Sequence, residues 1–204
     1  MILKRLFDLT FTIPGVLVLS PVILVIALWI KLDSPGPILF RQMRVGRNGA
    51  SFRMMKFRTM AETEGIGLQL TTGRNSRITR SGAFLRRHKL DEIPQLINVI
   101  KGEMSLVGPR PEVPEYVAVY PAETREIVLS VPPGITDYAS IEFRNEASML
   151  EASQDPEATY LDEILPAKLE LNVQYVLERS LWLDLRLILK TIFALTTGTL
   201  AASR

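Results

Sequence analysis

The sequence predicts a mostly α-helical chain with a small β-hairpin, an α+β arrangement headed by one apolar helix. Three observations carry this reading. Residues 6–30 are almost wholly apolar, the second half places apolar residues at helical spacing, and two short alternating runs lie at 38–45 and 51–60.

The apolar run, LFDLTFTIPGVLVLSPVILVIALWI, carries one charge, Asp8. At roughly 1.5 Å per residue it is long enough for a hydrocarbon core of about 30 Å. Lys4 and Arg5 flank one end, and Lys31 with the bases that follow flank the other. Positive charge at both ends places both on the cytoplasmic side. Pro21 removes the amide that would bond the Leu17 carbonyl, and Ser20 carries a hydroxyl able to replace it. These features predict a re-entrant helix broken at Ser20-Pro21, over residues 1–32, followed by a cytoplasmic, membrane-associated domain over 33–204. A kinked spanning helix is the rival. A cleaved signal peptide lacks the small residues of a cleavage site, and a buried soluble helix would be shorter and less apolar.

SPGP at 34–37 is a turn, and ILFRQMRVG leads to Gly46 and RNG at 47–49. SFRMMKFRTM then pairs back as a hairpin. The polar, glycine-bearing stretch 61–76 reads as a mobile loop. Ser81 is placed to cap a helix running to Leu90, with Phe84 and Leu85 inward. Residues 112–131 read as a helix interrupted at Pro121. PPGIT is a turn with Gly134 free for positive φ, and 137–143 is a short strand. Asp155-Pro156-Glu157 starts a helix that runs toward Arg179 with a kink at Pro166. The final segment puts Leu181, Leu185, Ile188, Leu189 and Ile192 on one face and Asp184, Arg186 and Lys190 elsewhere, a pattern suited to the membrane interface.

The 204 residues include no cysteine, which excludes a disulfide framework and thiolate chemistry. A net charge of +2 hides an uneven layout. Arg41, Arg44, Arg47, Arg53, Lys56 and Arg58 follow one another without an acid, and the acids collect between Glu142 and Glu178. That asymmetry points to an anionic partner for the first half.

Residues 90–111, LDEIPQLINVIKGEMSLVGPRP, are the most informative stretch. With Asp91 as cap, Glu92, Ile93 and Pro94 fill the first helical turn, where proline costs little. A helix start favours anions. Successive helical residues point about 100° apart, so the two carboxylates divide tasks. An ordinary cap with a surface glutamate is the plain alternative. Against it stand Lys56, Arg110 and Arg144, each beside a turn or extended element, with Arg110 held between Pro109 and Pro111. Arginine suits bidentate phosphate recognition, and Mg²⁺ typically takes one or two carboxylates plus substrate phosphates. No P-loop, dinucleotide fingerprint or zinc-ligand spacing occurs.

FDLTFTIPGVLVLSPVIL, FRMMKFRTM, LDEIPQLINVIKGEMSLVGPRPE, PGIT and FRNE, in that order, resemble the bacterial sugar transferases, the monotopic phosphoglycosyl transferases. The resemblance spans about Arg5 to Ile192. It implies transfer of a phosphosugar from a UDP-sugar to polyprenol phosphate, with Mg²⁺, at the cytoplasmic face of the bacterial inner membrane. Asp91 resembles the nucleophile that forms a covalent phosphosugar intermediate as UMP leaves, and Glu92 its partner, both near the metal. Lys56, Arg110 and Arg144, with Pro111 and Asn145 beside them, match substrate-binding positions, and Ser20 and Pro21 match the helix break. The resemblance implies contact with membrane lipids, admits a homodimer and implies no nucleic-acid partner. The chain departs from the family pattern at Asp137–Ile141, where GWAQV is usual, at Asn172, where an aspartate is usual, and at His88-Lys89. Two other function classes fit the residues: a metal-dependent lipid phosphatase or pyrophosphatase using water as acceptor, and a basic membrane-tethered binding module without catalysis.

Overall fold

The computed structural model describes residues 2–61 and 77–197. The chain is mostly helical. Helix α1 (Ile2–Asp33) leads to strands β1 (Leu39–Val45) and β2 (Ser51–Phe57), then α2 (Arg80–Arg87), α3 (Gln95–Lys101) and β3 (Ser105–Val107). Helices α4 (Pro114–Ala118) and α5 (Ala122–Leu129), strand β4 (Gly134–Thr136), and helices α6 (Tyr138–Glu142), α7 (Glu146–Ala152), α8 (Pro156–Thr159), α9 (Leu165–Glu178) and α10 (Leu181–Thr197) follow.

Helix α1 runs through both of its prolines, Pro14 and Pro21, so Ser20-Pro21 does not interrupt the helix as the sequence predicts. The Ser20 hydroxyl donates to Leu17 O at 2.7 Å, supplying the carbonyl that Pro21 leaves without an amide. The helix is long and apolar enough to cross a membrane. No residue between 13 and 25 is buried, whereas both ends are anchored. At the start, Lys4 pairs with Asp184 at 2.8 Å, Arg5 donates to Val99 O and Ile100 O, and Asp8 accepts from Ser105 Oγ at 2.9 Å. At the end, Ile26 and Ile30 pack with Phe57 and Leu85. Arg58 donates to Ser34 O at 2.7 Å, and Ser81 N and Oγ donate to Asp33. Ser81 is thus a tether rather than a cap. Thr79 caps α2 by accepting from Gly82 N at 3.0 Å, and α2 ends at Arg87 rather than Leu90. Leu85 is buried as expected, but Phe84 stays exposed beside Trp29.

Strands β1 and β2 form the antiparallel hairpin that the alternation predicts, in register Leu39↔Phe57 to Val45↔Ser51. The free edge of β2 is closed by the Asn98 side chain, which accepts from Met55 N at 3.0 Å and donates to Arg53 O at 2.9 Å. A second sheet, absent from the sequence reading, pairs β3 and β4 in parallel. Gly134 opens β4 rather than taking positive φ. Its glycine is required by space, because a Cβ there would strike the Gly108 backbone. The strand expected at 137–143 is instead α6, with Asp137 Oδ1 capping it from Ser140 N at 2.7 Å. Residues 62–76, most of the loop expected at 61–76, lie outside the described residues.

The largest core joins α4, α5, α9 and the turn just before α9 through Val113, Tyr116, Val128, Tyr160 and Leu169. The Pro121 interruption and the Asp155 cap occur where expected. The irregularity near Pro166 is a π-turn over Tyr160–Ile164. Pro166 cannot donate to Asp162 O, and a wider turn before it absorbs the mismatch. On α10 the buried stripe passes through Asp184, Leu187 and Ala194, while Leu181, Leu185 and Ile188 of the expected interfacial face are half-buried. Trp182, Leu189, Ile192 and Phe193 are exposed.

Asp8 is the sole charge of the apolar run and is only 3% exposed. Its carboxylate also accepts from Leu106 N at 3.2 Å and Lys4 at 2.9 Å. Asp8→Ala strands these donors, so thermal or urea unfolding in micelles is expected to show a loss of about 2 kcal/mol. Asp8→Asn, which keeps the acceptor, is expected to lose less.

Candidate active site

The turn that carries Asp91 and Glu92 begins at Lys89, held in the left-handed region at φ 56. Leu90–Glu92 form a single 3₁₀ turn, and α3 starts only at Gln95, with Pro94 at its cap. Asp91 is therefore not the cap of α3. The 3₁₀ turn aims the two carboxylates apart, the division of tasks that their adjacency implies.

Glu92 faces two cations from different parts of the chain. Lys56 Nζ on β2 lies 2.9 Å from Oε1, and Arg110 holds both oxygens, Nη2 at 2.5 Å from Oε1 and Nη1 at 3.3 Å from Oε2. Burial alone would raise the Glu92 pKa, but Arg110 and then Lys56 hold it well below the usual carboxylate range. Glu92 in turn raises the pKa of the Arg110 guanidinium. Lys56 fares differently: burial lowers its pKa, Glu92 opposes that, and neighbouring Arg110 lowers it further. One carboxylate is thus shared by two cations, and the Glu92, Lys56 and Arg110 cluster keeps an excess of positive charge.

Asp91 is 7% exposed, and its Oδ1 is buried with no hydrogen-bond partner. Burial raises its pKa against the pull of Lys56, and the Glu92 charge adds to the rise. An acceptor left unsatisfied in such a place costs on the order of 1–3 kcal/mol. It is the atom of the site with an unmet need for a partner.

Arg110 is aimed by a loop pinned at successive residues. Gly108 N donates to Thr136 O at 3.0 Å, Pro109 O accepts from Gly134 N at 2.9 Å, and Arg110 N donates to Asp137 Oδ2 at 3.3 Å. Pro111 O accepts from Arg44 Nη1 at 3.1 Å. Behind it, Glu112 gathers Tyr160, Lys168 and Arg44 within 3.1 Å in a buried network that reaches Glu146 through Lys168. Pro111 thus acts here through the backbone.

Arg144 and Asn145 lie elsewhere. Arg144 donates to Ala194 O on α10, and Asn145 precedes α7 without a side-chain cap. Neither contacts Asp91, Glu92, Lys56 or Arg110 through any hydrogen bond among the described residues. Sequence reasoning missed Arg86, whose guanidinium bonds Thr59 Oγ1 at 3.1 Å. Burial lowers its pKa while Asp91 opposes. Its place in the run of bases just before Asp91 is the available signal. Asp137 was also missed as a support. This departure from the family pattern places a fully buried carboxylate directly behind the Arg110 backbone. Asn172 is buried, with Oδ1 unpartnered.

Among the described residues no three acid, histidine or cysteine groups converge as a metal cage. The free Oδ1 of Asp91 fits a cation held chiefly by substrate phosphates. Glu92, with both oxygens taken by Lys56 and Arg110, offers less.

A profile described as bacterial sugar transferase matches residues 1–198. The chain is 38% identical over 197 residues to the UDP-glucose:undecaprenyl-phosphate glucose-1-phosphate transferase of Escherichia coli K12, covering 94% of this chain and 40% of that protein. It is 36% identical to the UDP-N-acetylgalactosamine-undecaprenyl-phosphate N-acetylgalactosaminephosphotransferase of Aeromonas hydrophila, covering 96% of this chain and 44% of that protein. A third relative, the Caulobacter vibrioides UDP-glucose:undecaprenyl-phosphate glucose-1-phosphate transferase, is 35% identical and is covered over 70% of its length. The chain thus spans about two-fifths of the first two relatives.

Glu92→Gln removes the charge that holds both cations, and a loss of about 3 kcal/mol at pH 7 is expected in urea unfolding. The folded-state pKa of Glu92 lies below the ordinary 4.5, so its contribution is complete above that value and disappears as pH falls through the lowered one. The difference between wild type and Glu92→Gln should therefore shrink below about pH 4.5. A constant difference down to pH 3 would contradict the ion-pair assignment.

Proposed function

The chain belongs to the bacterial sugar transferase family, and we propose that it moves a phosphosugar from a UDP-sugar to polyprenol phosphate through Asp91. The observation that carries this reading is the buried, unpartnered Oδ1 of Asp91 beside a glutamate already neutralised by Lys56 and Arg110. A carboxylate alone would repel a diphosphate. The two cations, with Arg86 nearby, reverse the local field, and guanidinium and ammonium groups suit phosphate oxygens.

In the first step an Asp91 carboxylate oxygen attacks the sugar-bearing phosphorus. The new bond is an acyl phosphate, the bond that breaks is the diphosphate bridge, and UMP leaves with the bridging oxygen and its electron pair. In the second step a phosphate oxygen of polyprenol phosphate attacks the same phosphorus and the bond to Asp91 breaks. The carboxylate is regenerated and a polyprenyl diphosphate sugar is formed. Splitting the transfer lets two acceptors use one site in turn. Glu92 acts by holding Arg110 and Lys56 against the phosphates. Mg²⁺, held by the diphosphate and Asp91, would supply neutralisation of the developing negative charge. Arg144 and Asn145 are assigned to the sugar nucleotide away from this cluster.

The same reading makes residues 1–32 a re-entrant anchor in the bacterial inner membrane and 33–204 a cytoplasmic body touching membrane lipids, with self-association as a homodimer compatible with it. Its support is the pair of anchors on α1. The segment from Ile93 to Ile100 meets both ends: Ile93 packs with the Ile26–Ile30 cluster, and Ile100 O accepts from Arg5. Those two points are about 10 Å apart along the segment, whereas Arg5 to Ile26 spans about 31 Å in a straight helix. A helix turned back toward its origin fits both anchors.

Two measurements test the reading. Purified protein given labelled UDP-sugars and polyprenol phosphate should release UMP, and Asp91→Asn should reduce release by at least about 10³-fold. Because the Asp91 pKa is raised and attack requires the carboxylate, the acid limb of the wild-type rate profile should lie above the ordinary aspartate value of 3.8. Activity surviving Asp91→Asn would refute the covalent route, and release of sugar phosphate to water would indicate a phosphatase. Separately, single cysteines at Leu3 and Arg47 in the cysteine-free chain should react with an impermeant reagent from the same side of a sealed vesicle. Opposite sides would establish a spanning helix.

A further inference from the structure

The hairpin register sorts the bases of β1 and β2 into two sets. Directly opposed residues share a face, so Arg44 lies with Phe52 and Lys56 with Phe40, while Arg41 lies with Met55 and Arg53 with Met43. On the first face the charges are spent: Arg44 pairs with Glu112 and Lys56 with Glu92. On the second, Arg41 and Arg53 are exposed and form no ion pair among the described residues. Lys101, the last residue of α3, is exposed and unpaired in the same way, and the three line one open groove of about 500 Å³. Its floor includes Met43 and Met55, and its acid, Glu103, accepts from Asn98 Nδ2 at 2.6 Å. The groove carries a clear excess of positive charge over a partly apolar floor.

Its position limits the partner. Its lining reaches Phe52 at the edge of the hairpin but includes none of Lys56, Asp91, Glu92 or Arg110, so it is not the diphosphate site. It begins at the end of α3, where Val99 O and Ile100 O accept from Arg5 of α1. The groove therefore adjoins the docked root of the apolar helix. Fixed cations beside such a root face the headgroup layer of whatever bilayer receives the helix.

We propose that Arg41, Arg53 and Lys101 form a docking groove for the phosphate headgroups of anionic phospholipids. This rests on the membrane reading of α1 and not on the chemistry at Asp91. Unpaired guanidinium groups take phosphate oxygens bidentately, the lysine adds a point charge, and exposed Met43 meets the acyl boundary. Each such cation near a negatively charged leaflet adds roughly fivefold to local association, and salt screens it.

The test uses the full chain in nanodiscs of phosphatidylcholine with or without phosphatidylglycerol. Ser51, exposed on the groove, is changed to cysteine and labelled with a fluorophore, and quenching by neutral acrylamide is read. Quenching about threefold weaker in the anionic discs is expected, with the protection lost at high salt. The combined Arg41→Gln, Arg53→Gln and Lys101→Gln variant should lose the protection while releasing UMP in neutral discs at the wild-type rate. If that variant misfolds by circular dichroism, Arg53→Gln alone should still lose part of it. Equal quenching in both lipids, or protection that survives the charge removals, overturns the proposal. So does the same protection from inorganic phosphate or an oligonucleotide in neutral discs. Wild-type protein that shows lipid-dependent protection but never releases UMP refutes the transferase reading and leaves the groove standing.

Discussion

The Glu92 carboxylate is shared between Lys56 and Arg110, and the arrangement of the site depends on that sharing. One side chain joins the end of β2, the turn before α3 and the proline-flanked loop after β3. A charge this buried is tolerable only when compensated. The compensation has a further effect. With Glu92 neutralised, its neighbour Asp91 is the carboxylate left without a partner, and two cations stay close enough to draw in an anion. The paired and the unpartnered carboxylate are thereby adjacent residues.

Arg110 must hold its position for this to work, and a single arginine on a free loop would not. The loop uses little regular structure. Gly108 and Gly134 pass so closely that neither tolerates a side chain, which locks the register of the short parallel pair β3–β4. Asp137 holds the Arg110 amide with one oxygen and caps α6 with the other. The Arg44–Glu112–Lys168 network then stiffens the exit of the loop. A buried network of this kind adds little net stability but restricts geometry, and a positioned cation requires that restriction.

Local signals were legible where one residue decides the outcome. The hairpin follows from alternation, the start of α8 from Asp155-Pro156, and the break between α4 and α5 from Pro121. The Asp91, Glu92, Lys56 and Arg110 cluster was foreseeable from residue type, although the 3₁₀ turn that presents the acids was not. What escaped depends on distant partners. Ser81 resembles a cap until Asp33 claims it, and Asp184 resembles a surface residue until Lys4 and Tyr175 bury it. Gly134 suggests a turn until Gly108 approaches it. Strand β4 has only three residues and no period to detect, so only its pairing with β3 defines it. Arg144, singled out by residue type, and Asn145, by the resemblance, have their contacts with α10 and at the start of α7.

The tethers of α1 connect its seating to the site. Asp8 grips Ser105 and Leu106 in β3, only a few residues before the loop that carries Arg110. At the other end, Arg58 holds Ser34 O and Ile30 O, two residues beyond Lys56 on the same chain segment. The two cations that share Glu92 are thus delivered by the same two segments that grip the apolar helix. A displacement of either end of α1 must move β3 or the end of β2, because both contacts are buried and close-packed. The distance between Lys56 and Arg110 consequently depends on how the helix is seated. Whatever fixes the two ends of α1 fixes that spacing as well. Helix α1 is one of the elements that hold Lys56 and Arg110 at the separation Glu92 requires.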